Sequence, residues 1–310
     1  MDTHLIQVVL RRCRIILVVL TGILSGCALT AAQKAAVSQF SDSAAALGDI
    51  TSSELIAMRD GTVKMTMERL LLGGKSKDKE LGNQATLDRG FELKRVEAVS
   101  GAARALAAYG KSLGALVNDT QSADLKAASN EFIASLGRVP AATEHINDQQ
   151  LGAIGTVIQD VGGFWIEWKR KQAVETIVAK SQRAVEHLCD LLIRDFSPGN
   201  DKGGNKGGWI TLQLQVVEDP LTAVATNSLY DGRTYNDRKV ALDAFLLAHN
   251  SRMRREEVLK RITSGAAAMK KANNALVQAV ADSTWSFQDI QDFAQQARSL
   301  QAAVKTIITE

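Results

Sequence analysis

The sequence predicts an all-α protein, an elongated and mostly antiparallel helical bundle of about six or seven helices. Only three prolines occur in 310 residues, so long stretches contain no residue that breaks a helix. Apolar residues recur at three- and four-residue spacing through most of the chain. The segments between these patterns are short and polar, and short connections join antiparallel neighbours in helical bundles.

The first two helices are expected on either side of a polar break. The first begins near Ala36 and continues to Leu72, where the polar segment 73–83 ends it. The second covers about 85–117 and shows an apolar position every seven residues, as helices packed along a seam do. These positions are Val99, Leu106 and Leu113.

Two further helices are predicted before the chain becomes rich in glycine. A short one lies near 122–136, because Gly137 followed by Pro140 is a common stop signal. A long one runs from about Thr143 to Phe196, with an apolar stripe along most of its length.

The glycine-rich segment 197–208 is a flexible linker or loop by composition. It either separates two domains, 28–196 and 209–310, or forms a loop within one bundle. We favour the loop, because each half has few helices with which to cover a core of its own.

Residues 209–230 are ambiguous, because "ITLQLQVV" alternates like a strand while a wider set of apolar residues fits a helix. We predict a helix, with a kink or a fresh start at Pro220. A long helix follows Gly232, and a last helix runs to about Ile308.

The first 26 residues have the order of a secretory signal peptide. Basic residues end at Arg14, ten uncharged apolar residues follow as 15–24, and Ser25 and Gly26 are small. Ten residues of helix cover about half of a ~30 Å hydrocarbon layer, which disfavours a permanent membrane span. The alternative is an uncleaved anchor over 15–32.

The four residues Leu24-Ser25-Gly26-Cys27 resemble the lipobox of bacterial lipoproteins. The resemblance implies cleavage between Gly26 and Cys27, with a diacylglyceryl group and an N-acyl chain, palmitate for example, on Cys27. Several acyl chains give lasting attachment to a membrane, whereas one gives marginal binding. Residues 27–35 would then form a lipidated tether, and 36–310 the helical bundle.

The residue after the lipidated cysteine is Ala28 and not aspartate. By the sorting rule of enterobacterial lipoproteins, this resemblance implies the outer membrane, with the protein on its inner leaflet facing the periplasm.

Composition disfavours nucleic acid as a partner. The first 26 residues hold three of the 37 basic and one of the 34 acidic residues, which leaves 34 and 33 in the remainder. This near-zero net charge leaves the protein without the positive electrostatic potential that nucleic-acid binding needs. Cys13 leaves with the signal and Cys27 is committed to lipid, so Cys189 remains alone and is expected in the core.

No catalytic motif, metal-ligand set or cofactor site is recognised. "GGKS" at 73–76 has neither the earlier glycine nor the preceding strand of a phosphate-binding loop. His187 and Cys189 are two apart on a predicted helix, so they face different sides and cannot easily share a metal or a proton. The sequence therefore gives no support for an enzyme.

The segment 151–168 is the most unusual part of the chain, with glycines followed by tryptophans and then by cations. Its marked residues are Gly155, Gly162, Gly163, Trp165, Trp168, Lys169 and Arg170. This order is typical of a membrane-interface edge, but Gln159 and Asp160 in the middle oppose insertion. We favour a central bundle helix with core tryptophans, whose basic run is a solvated end.

Two hypotheses of function follow. The first is a non-catalytic, lipid-anchored accessory or scaffold protein of the cell envelope that binds an unknown protein or cell-wall partner. The alternative is a membrane-active helical protein that inserts segment 151–168.

Overall fold

The computed structural model describes residues 28–73, 87, 91–118, 122–137, 167–199, 207–282 and 286–309. These residues form seven helices and no strand, so the prediction of an all-α helical bundle is confirmed. The helices are α1 (Ala31–Leu72), α2 (Leu93–Val117), α3 (Ser122–Gly137), α4 (Glu167–Asp195), α5 (Trp209–Asp231), α6 (Tyr235–Asp282) and α7 (Gln288–Thr309).

Helix α1 begins five residues earlier than the sequence analysis placed it. The Gln33 amide donates to Thr30 Oγ1 (3.2 Å), and the Thr30 amide donates to Gln33 Oε1 (2.8 Å). This reciprocal pair is a capping box, which satisfies two backbone groups at the start of the helix. Leu29 is also buried in the core. The predicted tether 27–35 is therefore corrected, because its last five residues belong to α1.

Helix α2 begins at Leu93, and the predicted start near residue 85 lies outside the described residues. Glu92 has non-helical backbone angles, and Phe91 is buried against the ring of Trp209 at 5.3 Å between centroids. Arg95 places its guanidinium 4.4 Å from the same indole ring. Phe91 and Glu92 therefore lie outside α2, and both Phe91 and Arg95 pack on Trp209.

Residues 209–231 form the predicted helix, and it runs through Pro220 without ending there. Leu214, Val217 and Leu221 are buried, as the helical pattern requires. In a strand, the alternating apolar side chains would all lie on one buried face. Leu212 is exposed, so the burial pattern of this segment is not that of a strand. The helical interpretation of this segment is confirmed.

One large hydrophobic cluster contains residues of all seven helices. At its centre Phe40 contacts Tyr109 and Phe293, with ring centroids 6.0 and 5.4 Å away. The cluster includes Phe196 and Ile210, which lie on the two sides of the glycine-rich segment. A hydrogen bond also joins the two ends of that segment, since the Gly208 amide donates to the Ser197 carbonyl (2.8 Å).

In the described part of the chain, a second and smaller cluster is formed by residues of α1, α5 and α6. We call this part of the protein the three-helix end. Its buried residues are Met65, Val217, Leu221, Ala225, Ala244 and Ala248.

Candidate functional site

The predicted lipidation site lies directly before the described part of the chain. Gly26 and Cys27 are outside the described residues, which begin at Ala28. Leu29 is already in the main hydrophobic cluster, and Thr30 caps α1. Only one residue therefore separates Cys27 from the first buried side chain.

Most of the residues marked in segment 151–168 also fall outside the described part. This holds for Gly155, Gly162, Gly163 and Trp165, and for the side chain of Trp168. In the described residues no helix is both long and apolar enough to cross a membrane.

The basic run after these tryptophans is not the solvated helix end that the sequence analysis expected. Lys169 is partly exposed, but Arg170 is only 5% exposed. Helical spacing places Arg170 on the same side of α4 as the buried residues Ala173, Val174 and Ile177. The interpretation of Arg170 as a surface cation is corrected for this reason.

The thiol of Cys189 is a core group, as predicted. It is fully buried, and burial together with the neighbouring Asp190 raises its pKa well above the usual range. A thiol must lose its proton to act as a nucleophile or a metal ligand, so Cys189 is chemically inert in the folded protein. The carboxylate of Asp190 lies 2.7 Å from the ammonium of Lys270 and raises the pKa of that lysine.

A buried polar pair lies close to this thiol. The hydroxyl of Tyr109 donates to Asn273 Oδ1 at 2.7 Å, and both side chains are fully buried. Burial and the nearby Cys189 raise the pKa of Tyr109, so the phenol stays neutral. Within the described residues, no group of three or more histidine, cysteine or acidic side chains could hold a metal ion.

Exposed apolar side chains are concentrated on the helices that form the three-helix end. Of the large exposed ones in the described part of the chain, all except Leu93 belong to α1, α5 or α6. Single exposed apolar residues are normal on protein surfaces, but a concentration on one part of a molecule is typical of an interaction site.

Two tyrosines flank the turn between α5 and α6, Tyr230 in the last turn of α5 and Tyr235 at the start of α6. Tyr230 is 84% and Tyr235 is 83% exposed. Three basic residues stand close to them in the sequence: Arg233, Arg238 and Lys239. Tyrosine and arginine are the residue types that most often contribute binding energy at protein–protein interfaces. We call residues 230–239 the tyrosine turn.

Hydrogen bonds join the backbone of the tyrosine turn to nearby side chains. The Thr234 amide donates to Asp237 Oδ2 (3.0 Å), and the Asp237 amide donates to Thr234 Oγ1 (3.1 Å). Arg238 Nε donates to the Gly232 carbonyl at 2.9 Å. The bonds from Thr234 lower the pKa of Asp237, which keeps the cap ionised. A held backbone reduces the ordering cost that a partner would meet on binding.

The tyrosine turn lies far from the N-terminal end of α1. Contacts between α1 and α6 join Leu47 to Gly265 and Glu54 to Arg254, so the two helices run in opposite directions. Tyr235 is therefore level with the end of α1, whose 42 residues span about 60 Å.

The tyrosine turn was not predicted from the sequence. The signal was present as Thr234 followed by Asp237, a capping pattern that marks the start of α6 and therefore the turn before it. The exposure of the tyrosines had no such signal, because tyrosine is found both in cores and on surfaces.

Comparisons with known proteins do not identify this chain. No protein-family model, no curated protein and no solved structure matches it.

Proposed function

We propose that this protein is a non-catalytic lipoprotein of the bacterial cell envelope that holds a protein partner at its tyrosine turn. Diacylglyceryl and N-acyl groups on Cys27 would attach it to a membrane, and Ala28 favours the inner leaflet of the outer membrane. The partner is expected to be another envelope protein.

The tyrosine turn is the observation that carries this proposal. Its two tyrosines are more than four-fifths exposed on a backbone held by reciprocal hydrogen bonds. Large aromatic side chains that stay out of the core lose the free energy of burial, about 1.5–3 kcal/mol each for comparable apolar groups. A binding surface would explain this exposure, because a partner can bury both rings.

The N-terminal geometry is consistent with lipid attachment. Leu29 is anchored in the core and α1 starts at Ala31. A lipid on Cys27 would hold the near end of α1 close to a membrane surface. The tyrosine turn at the other end of α1 would then be able to reach about 60 Å from the lipid.

Labelling with radioactive palmitate in bacterial cells tests the anchor. We expect the full chain to incorporate label and Cys27→Ser to lose it, because the thioether forms on that sulfur. Cys13→Ser is the matched control and should keep the label, since Cys13 lies inside the removed signal. Equal labelling of the Cys27→Ser chain would contradict the anchor.

Photo-crosslinking tests the partner. A photoreactive phenylalanine analogue replaces Tyr235 in the full chain, and Lys260, exposed on α6 away from the turn, is the control position. We expect a discrete adduct with one envelope protein at Tyr235 only, and its loss in a Tyr230→Ala background. The same adducts at both positions, or none at Tyr235, would contradict binding at the turn.

No observation on the described residues favours insertion of segment 151–168 into a membrane. That hypothesis stays a prediction from the sequence.

A further inference from the structure

The interior of the three-helix end is filled largely by small side chains. Half of the buried residues that form its cluster in the described chain are alanines, namely Ala225, Ala244 and Ala248. A buried alanine removes little more than a methyl group from water, so it gains less hydrophobic stabilisation than a buried leucine or phenylalanine does. The main cluster, by contrast, has several aromatic rings at its centre.

Several large apolar side chains in this part of the protein lie on its outside. On α6 Leu242 is 45% and Leu246 is 44% exposed, and on α1 Met67 is 45% and Leu71 is 67% exposed. Apolar surface that stays in contact with water does not contribute to the free energy of packing. These side chains therefore stabilise the three-helix end less than their number suggests.

The hydroxyl groups of four threonines in this part of the protein bond within their own helices. On α1, Thr66 Oγ1 donates to the Thr62 carbonyl (2.8 Å), and Thr62 Oγ1 donates to the Arg59 carbonyl (2.6 Å). On α5, Thr222 and Thr226 donate to carbonyls four residues earlier in the same helix. Bonds of this kind slightly destabilise helices, and they do not join one helix to its neighbour.

A buried ion pair lies at the boundary between the three-helix end and the main cluster. Arg255 Nη2 lies 3.1 Å from Glu218 Oε2, and both side chains are at most 6% exposed. On α6, Arg255 stands between Ala248 of the smaller cluster and Val258 of the main cluster. The two apolar clusters are therefore separate, and regions with separate cores can open separately.

Helix α5 is weakened just beyond this ion pair. Pro220 lies inside the helix, two residues after Glu218. Proline has no amide hydrogen, so the helix lacks the bond that residue 220 would make with the carbonyl four residues earlier, and the ring disturbs that turn. Less free energy is therefore needed to bend or unwind α5 here than in an uninterrupted helix.

We propose that the three-helix end opens as one unit while the main hydrophobic cluster stays folded. The unit consists of 62–72 of α1, 219–231 of α5 and 235–250 of α6. In the open form these three segments lose their mutual packing together, up to the ion pair of Glu218 with Arg255. A small core, a charged boundary and the proline make this opening less costly in free energy than global unfolding.

The tyrosine turn is part of this unit. Tyr230 lies in the last turn of α5 and Tyr235 at the start of α6, so their relative position depends on the packing of the two helices. A partner at the turn would bind the closed form and stabilise it by mass action, and opening would limit the binding. This consequence rests on the proposed function, whereas the opening itself requires no partner.

Hydrogen exchange of the full chain in detergent micelles, followed by mass spectrometry, tests the proposal. We expect amides in 62–72, 221–231 and 236–250 to exchange at least about 100-fold faster than those in 99–116 of the main cluster. Low concentrations of urea should accelerate all three segments by the same factor, because one opening exposes them together. The proposal is overturned if the three segments exchange as slowly as 99–116, or if each responds differently to urea.

Leu221→Ala distinguishes one cooperative unit from independent fraying of helix ends. Leu221 is fully buried in the cluster that the three helices form, so its truncation should favour the open form. We expect exchange to accelerate about tenfold or more in 62–72 and 236–250 as well as on α5. Val216→Ala is the matched control, because Val216 is 52% exposed on the same helix, and it should leave all three segments unchanged.

Three results with these variants would overturn the proposal. The first is acceleration by Leu221→Ala that is confined to α5, and the second is an equal effect of the two variants. The third is the same acceleration in 99–116, because the two clusters would then unfold together. A partner is not needed for any of these measurements, so they are independent of the crosslinking test of the tyrosine turn.

Discussion

At the scale of single residues, the chain uses small side chains to bring α1 and α2 close together. A Cβ placed on Gly110 would lie 2.7 Å from Cβ of Ala44, and one placed on Gly48 would clash with the Ala103 carbonyl oxygen. Distances this short leave no room for a methyl group unless the backbones separate. These glycines therefore determine how closely the two helices approach.

Two glycines of α1 give a matched test of this packing. Gly48→Ala is expected to lower the free energy of unfolding by about 1–3 kcal/mol, because the added methyl group overpacks the contact with α2. Gly61→Ala meets no atom within 4 Å, so it should raise the same quantity by about 0.5–1 kcal/mol through helix propensity. Urea denaturation monitored by circular dichroism measures both. Equal effects of the two changes would refute the close approach at Gly48.

Some residues could be predicted from the sequence and others could not. Cys189 was placed in the core because an unpaired cysteine with no suitable neighbours on its helix face is usually buried. Arg170 was predicted to be on the surface because of its charge, although its position in the helical pattern indicated burial. It stands three, four and seven residues before buried apolar side chains, and that spacing is visible in the sequence.

At the scale of helices, ion pairs join α6 to both α1 and α5, and the pair with α5 is buried. Arg254 makes two hydrogen bonds of 2.9 Å with the carboxylate of Glu54 on α1. Its neighbour Arg255 lies 3.1 Å from the carboxylate of Glu218 on α5, and Glu218 also accepts a hydrogen bond from Ser251 at 2.9 Å. Consecutive residues of α6 thus hold α1 and α5, between the two hydrophobic clusters.

Removal of one partner from the buried pair should be costly. We expect Glu218→Ala to lower the free energy of unfolding by about 3–5 kcal/mol, because Arg255 would be left as a buried charge without its carboxylate. Asp219→Ala is the control on the next residue. Its pair with Arg252 is solvent-exposed, so its loss should cost at most about 1 kcal/mol.

Thermal denaturation of both variants provides the comparison. If Glu218→Ala unfolds at the same temperature as Asp219→Ala, the buried pair does not stabilise this part of the protein.

Helices were predicted well where one face is consistently apolar. Helix α5 was recognised despite its strand-like alternation, since Leu214, Val217 and Leu221 form one buried stripe while Val216 is 52% exposed. The start of α1 was placed too late because the capping box of Thr30 and Gln33 was overlooked. The ion pairs were not predictable, because Glu54 and Arg254 are 200 residues apart in the sequence.

At the scale of the whole molecule, the helix directions assign different surfaces to different parts of the chain. The N-terminal residues lie at the end where α1 begins, and the tyrosine turn lies near the end where α1 stops. The sequence predicted the helices, but not which of their faces remain uncovered. That depends on where α7 ends along α6, which only the packing reveals.

The length of α1 also determines how the protein would carry a mechanical load. Helix α1 begins at Ala31 and passes through both hydrophobic clusters. Tension applied at the tyrosine turn and resisted at Ala28 would act along the axes of α1 and α6. It would shear their interface along its whole length, so many contacts would have to break together. A sideways pull would peel the same contacts apart one helical turn after another. The protein is therefore most resistant to extension along the line from its N-terminal residues to the tyrosine turn.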